Sequence, residues 1–129
     1  MSQLYPGAVV AIACLWGEHW GIAAIRNGQW TMISNRGMRN GVTEEPFGDV
    51  VGRANWRIIA MAGAFPPWAI VSRARSMLGT RYDFWRWNCE DFVYCALGHE
   101  PRSLQRESFL ALASVIVSAI AVRTLGRRA

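Results

Sequence analysis

Cysteine and histidine are the side chains in this 129-residue sequence from which a thiol–imidazole chemistry can be built, and there are few of them: Cys14, Cys89, Cys95, His19 and His99. Cys89 follows Asn88, a good N-cap type, and precedes Glu90 and Asp91, which complement a helix N-terminal dipole; Gly98 stands where such a helix should end. A thiol at a helix start has its thiolate favoured by the dipole and by free backbone N–H groups, which makes Cys89 the candidate nucleophile. Glu90 and Asp91 oppose this, because nearby negative charge raises a thiol pKa. An imidazole is then needed as ion-pair partner and general base, and His19 is the candidate, to be met only across the fold. The competing reading is a buried structural cysteine. His99, in Gly98-His99-Glu100-Pro101, reads as an exposed loop residue.

The elements that must position these groups follow from local patterns. After Pro6-Gly7, the run Ala8 to Leu15 is short and rich in β-branched residues, as a buried strand should be. Because no basic residue precedes Arg26, the charged leader of a secretory signal is missing and the run is read as a strand. His19 to Ile25 leads into Asn27-Gly28, a strong two-residue hairpin signal, and then into Gln29 to Ser34. On that strand His19 shares a face with Gly21 and Ala23, which predicts open space beside the imidazole. Residues 35–48 read as a long loop before a strand around Trp56 to Met61. Trp68 to Leu78 carries apolar residues at helical spacing and ends at Gly79. In the helix after Asn88, Phe92, Val93, Ala96 and Leu97 lie within about 80° of Cys89, while Glu90, Asp91 and Tyr94 face away.

The run from Ser108 to Val122 contains no charge. At 1.5 Å per residue it would cover roughly 22 Å, short of the ~30 Å hydrocarbon core, so a packed core helix and a shallow membrane insert are both open. A domain over residues 1–107 and an apolar helix with a basic end over 108–129 are expected.

Length and composition allow one compact domain: 52% of residues are hydrophobic and 18% charged. The 14 basic residues are all arginine, which excludes a lysine nucleophile or Schiff base, and the formal net charge is +5. Arginine forks onto phosphate and carboxylate, so RNA or an acidic lipid surface are candidate partners. The arginines are scattered, with only Arg123, Arg127 and Arg128 clustered, so a merely solvated surface competes with a nucleic-acid site. The cysteines form no CxxC pair and cannot all be bridged, which indicates neither a disulfide scaffold nor a zinc site. A reducing, cytoplasmic compartment is expected, with no metal and no cofactor. Nothing in the sequence specifies an oligomeric state.

Two stretches are similar to known motifs. His19-Trp20-Gly21-Ile22 before a hairpin, and Asn88-Cys89-Glu90-Asp91-Phe92 opening a helix, resemble the H-box and NC-box of the lecithin:retinol acyltransferase-like family. Tyr5-Pro6-Gly7, Val42-Thr43-Glu44-Glu45, Arg73 to Gly79 with Tyr82-Asp83, and Arg102-Ser103 with Gln105 continue the pattern. The resemblance implies an α+β domain, a circularly permuted NlpC/papain-like fold, with an antiparallel sheet from residues 8–62 packed by helices near 68–78, 89–97 and 104–122. It also implies a thiol hydrolase or acyltransferase acting on lipid esters. In that chemistry Cys89 attacks the acyl carbonyl, His19 is general base and then acid, and backbone N–H groups at the helix start stabilise the oxyanion.

One position departs from the family pattern. Where a second histidine is usual, on the strand after the hairpin, this sequence has Ser34. Ser34, or Asn35 on the opposite face, would orient His19 by a hydrogen bond, but neither stabilises an imidazolium as imidazole or carboxylate does. The same two boxes occur in the H-box/NC class of picornavirus 2A proteins, which also carry a hydrophobic C-terminal segment. The alternative function is therefore a catalytically degenerate viral protein working in RNA replication at host membranes, in the host-cell cytoplasm or at its membrane surfaces.

Overall fold

The computed structural model describes residues 3–15, 17–37, 40–61, 63–81, 83, 87–100 and 102–126. Tyr82, Arg127 and Arg128, singled out above, lie outside the described residues, as does the side chain of Gln105.

Strands β1 (Val9–Cys14), β2 (Gly17–Arg26), β3 (Gln29–Asn35), β4 (Val42–Pro46) and β5 (Trp56–Ile59) form one antiparallel sheet in the order β4-β3-β2-β1-β5. The β2–β3 hairpin turns at Asn27 (φ 51°) and Gly28 (φ 75°), the two successive left-handed residues a tight hairpin of matching twist requires. Helices α1 (Phe47–Val51), α2 (Pro67–Ser76), α3 (Cys89–Leu97) and α4 (Leu104–Gly126) complete the chain.

Alternation along the strands divides the apolar residues between two faces. Val9, Ala11, Trp20, Ile22, Ala24, Ile33 and Val42 pack against Ile70, Val71 and Ala74 of α2 and Phe92, Val93, Ala96 and Leu97 of α3. On the opposite face, Ala8, Val10, Ile12, Ala23 and Met32 pack with Val51 of α1. Phe92 is fully buried at the centre of the first layer. Truncating such a residue to alanine costs about 3–5 kcal/mol, so it is a principal anchor of α3 on the sheet.

The reading of residues 35–48 as loop is corrected. Val42 to Pro46 pairs with β3, Ser34 opposite Thr43, and α1 follows at once. The glycines and prolines that suggested a loop mark only its ends, while the two glutamates of β4 are accommodated because it is an edge strand. Glu44 is held by Thr31 at 2.8 Å and by Arg75 of α2 at 2.8 Å, which fastens that edge to the helix layer.

The expectation that Glu90 and Asp91 face away from the buried side is also corrected. Both are buried, because the first turn of α4 lies over them. A wheel drawn for one helix sees its own apolar stripe and not the polar cover that another segment supplies.

The remainder of α4 has the reverse character. Leu112 (60% exposed), Val115 (65%), Val117 (66%) and Val122 (70%) lie in solvent. Among the described residues no helix is long and apolar enough to cross a membrane.

Candidate functional site

Cys89 is the first residue of α3, and its placement is over-determined by the residues around it. Asn88 caps the helix, its side-chain oxygen accepting from the N–H groups of Glu90 at 3.0 Å and Asp91 at 3.1 Å. The Asp91 carboxylate in turn accepts the Asn88 N–H at 3.0 Å, which completes a capping box. These bonds take up the helix-start donors on either side of the thiol.

The thiol enters the sheet where two strands part. Along an antiparallel strand the N–H groups point alternately to the two neighbours. The Ala23 N–H donates to the Ala8 carbonyl at 2.9 Å, so Trp20, an odd number of residues away, directs its own N–H toward β3. The β2–β3 ladder runs from Arg26 opposite Gln29 to Gly21 opposite Ser34 and stops short of Trp20. Beyond that end lies Cys89, with the backbone N–H groups of Trp20 and of Cys89 itself favouring its thiolate.

Burial outweighs them. Desolvation, with the Glu90 charge as a further contribution, pushes the Cys89 thiol up to about 11 against the pull of those N–H groups. The sequence argument from the helix N-terminus is therefore overridden in the resting protein. Half a charge of helix dipole does not repay the removal of a thiolate from water when the side chain is buried.

His19 is paired in register with Ile12 and shares the sheet face of Ala23, Met32 and Ser34. It lines a cavity of about 310 Å³ with Ile12, Cys14, Arg36, Val50 and Val51. Burial, then the Arg36 charge, lower its pKa to about 4, while Glu45 acts the other way. Arg36 and Glu45 are themselves paired at 2.9 Å. The expected open space beside the imidazole is absent on the Gly21 side. A Cβ there would fall 2.9 Å from the Ser34 Cβ and into the Met32 side chain, so Gly21 is required for close packing of β2 on β3.

Ser34 does not orient His19. The His19 Nε2 and the Ser34 Oγ are both buried, and neither has a hydrogen-bond partner among the described residues. Asn35 lies on the other face, where its Nδ2 donates to the Trp87 carbonyl at 2.9 Å. The structure thus brings Cys89 to the backbone joining His19 and Trp20, but it supplies no side-chain hydrogen bond that links Cys89, His19 and Ser34 into a chain.

The site also contains residues that composition and periodicity passed over. Ser103 and Arg106 close over the NC-box, and the only sequence signal for the first was its place in the Arg102-Ser103 motif. For Arg106 there was none.

Comparison with known proteins decides the family. The model described as lecithin retinol acyltransferase matches residues 2–101, which include the hairpin, β4, α2 and α3. The chain belongs to the lecithin retinol acyltransferase family. No curated protein matches the chain. Within this acyltransferase family, the matched span contains His19, Ser34 and Cys89, and it ends just before the α4 turn that covers Glu90 and Asp91. Membership suggests acyltransferase-like activity on lipids.

Proposed function

We propose that the protein is a thiol acyltransferase or hydrolase acting on lipid esters, with Cys89 as nucleophile and His19 as general base. The observation that carries this reading is the capped start of α3, which holds Cys89 against the Trp20 N–H at the open end of the β2–β3 ladder. A thiol so placed has two backbone donors beside it for the oxyanion of a tetrahedral intermediate.

The chemistry balances with the chain's own groups. The resting pair is neutral, since burial holds Cys89 protonated and His19 unprotonated. On attack, the Cys89 proton passes to His19 as the C–S bond forms. His19 then returns it to the departing alcohol as the ester C–O bond breaks, leaving a thioester. Water or an acceptor hydroxyl, deprotonated by His19, releases the acyl group and restores the thiol. The cavity beside His19 offers room for part of a substrate. The exposed apolar surface of α4, followed by Arg123, fits a lipid surface as partner and a cytoplasmic, membrane-surface location.

A second reading is favoured by the unpartnered Ser34 Oγ and His19 Nε2. With neither atom hydrogen-bonded among the described residues, and only the Glu45 charge favouring an imidazolium, the chain fits a catalytically degenerate H-box/NC protein of the picornavirus 2A kind, acting in RNA replication at host membranes through its arginines and α4. Incubating the full chain with phospholipid vesicles separates the two. Fatty-acid release that exceeds blank, with a thioester adduct on Cys89 and neither with Cys89→Ala, supports the enzyme. Equal release by both proteins rejects it.

A further inference from the structure

Two carboxylates stand immediately after Cys89, and an uncompensated negative charge there would suppress a thiolate. The fold answers this from outside the helix. The Ser103 Oγ donates to Glu90 Oε1 at 3.1 Å and accepts from Asn88 Nδ2 at 2.7 Å. The Leu104 N–H donates to Glu90 Oε2 at 3.2 Å. Arg106 grips both oxygens of Asp91, at 2.9 and 3.1 Å, with the Asp91 side chain fully buried and that of Arg106 only 20% exposed. One short segment, the start of α4, thereby touches the residue before the thiol and both residues after it.

The geometry points to the first turn of α4 as a charge clamp on the nucleophile's helix, with Arg106 the positioning residue that offsets the carboxylates beside Cys89. The inference rests on the reading of Cys89 as nucleophile and adds what governs its ionisation. The titratable and charged groups around the thiol are Glu90 and Asp91 on its own helix and Cys14 from β1, with Arg106 and Glu107 of α4 facing the two carboxylates. Glu107 is already taken by Arg102 at 2.9 Å, and among the described residues Arg106 is the cation paired with the NC-box. Because the same helix carries the exposed apolar surface, whatever seats α4 bears on the residues that flank the thiol.

The test is mass-spectrometric mapping of iodoacetamide adducts against pH on the full chain, comparing Arg106→Gln, Glu90→Gln and Arg102→Gln. Arg106→Gln should slow alkylation of Cys89 at pH 9 by about tenfold, the loss of thiolate that a one-unit rise in reaction pKa produces. Glu90→Gln, which removes the adjacent negative charge, should speed it. Arg102→Gln, which removes a cation from an exposed pair, should leave it unchanged. A merely structural clamp predicts a different pattern: loosening it from either side exposes the thiol, and both buried variants alkylate faster. That common direction, or no change in either, overturns the charge clamp while the nucleophile reading stands. Absence of Cys89 alkylation in the unmodified chain at every pH overturns both.

Discussion

The Asn35 side-chain amide donates to the Trp87 carbonyl at 2.9 Å, and this bond ties the end of β3 to the backbone just before Asn88 and Cys89. Asn35 is buried, and removing its side chain leaves that carbonyl with the Asp83 N–H, at 2.7 Å, but without its link to β3. Asn35→Ala should lower stability by about 0.5–1.5 kcal/mol, the usual net worth of one hydrogen bond. Chemical denaturation reads this, and an unchanged midpoint would show the bond to be dispensable.

The pH dependence of stability should carry the signature of His19. Its folded pKa, about 4, lies below the usual 6.5, so the folded state holds the neutral imidazole. The unfolded chain then binds more protons between those values, and stability present above pH 6.5 is lost as pH falls toward 4, by at most about 3 kcal/mol. His19→Gln should flatten this acid limb. Cys89 works at the other end: its pKa is raised from 9.0 to about 11, so its contribution is present below pH 9 and lost as pH rises through 11. Denaturant midpoints measured from pH 4 to 7 decide the first, and an acid limb identical in parent and His19→Gln would refute it.

Restoring a histidine at position 34 should not create an active site. Ser34 is fully buried, and its Cβ already crowds the Gly21 backbone across the strand pair. An imidazole there overpacks the sheet, at a cost of about 1–3 kcal/mol. Ser34→His is expected to melt earlier and to hydrolyse phospholipid no faster than the parent. Increased turnover at unchanged melting temperature would show that the face has room.

The outer part of α4 should bind anionic vesicles without supporting the fold. Binding should strengthen with acidic lipid and weaken with salt, since each arginine near such a surface contributes about 1 kcal/mol. A chain ending at Glu107 retains the turn that covers Glu90 and Asp91. It should melt with the full chain yet fail to float with liposomes. Unfolding of the shortened chain together with no flotation of the full one would mean that the segment is part of the core.

Local chemistry made much of this protein legible from sequence. Asn27-Gly28 dictates a tight hairpin because two successive left-handed residues are cheap there, and Asn88 with Asp91 three residues later dictates where α3 begins. The family resemblance was legible too, because the H-box and NC-box are short contiguous motifs on those same elements. What the sequence left undecided depended on residues distant along the chain. Glu90 and Asp91 looked solvent-facing until the α4 turn covered them, and β4 looked like loop until Arg75 and Thr31 gave Glu44 its partners. The thiol's state turned on the same kind of fact: a helix dipole is a local property, but the desolvation that outweighs it depends on everything packed around Cys89. Position along the chain set which groups could react, and only burial in the assembled sheet and helices decided which of them carry charge.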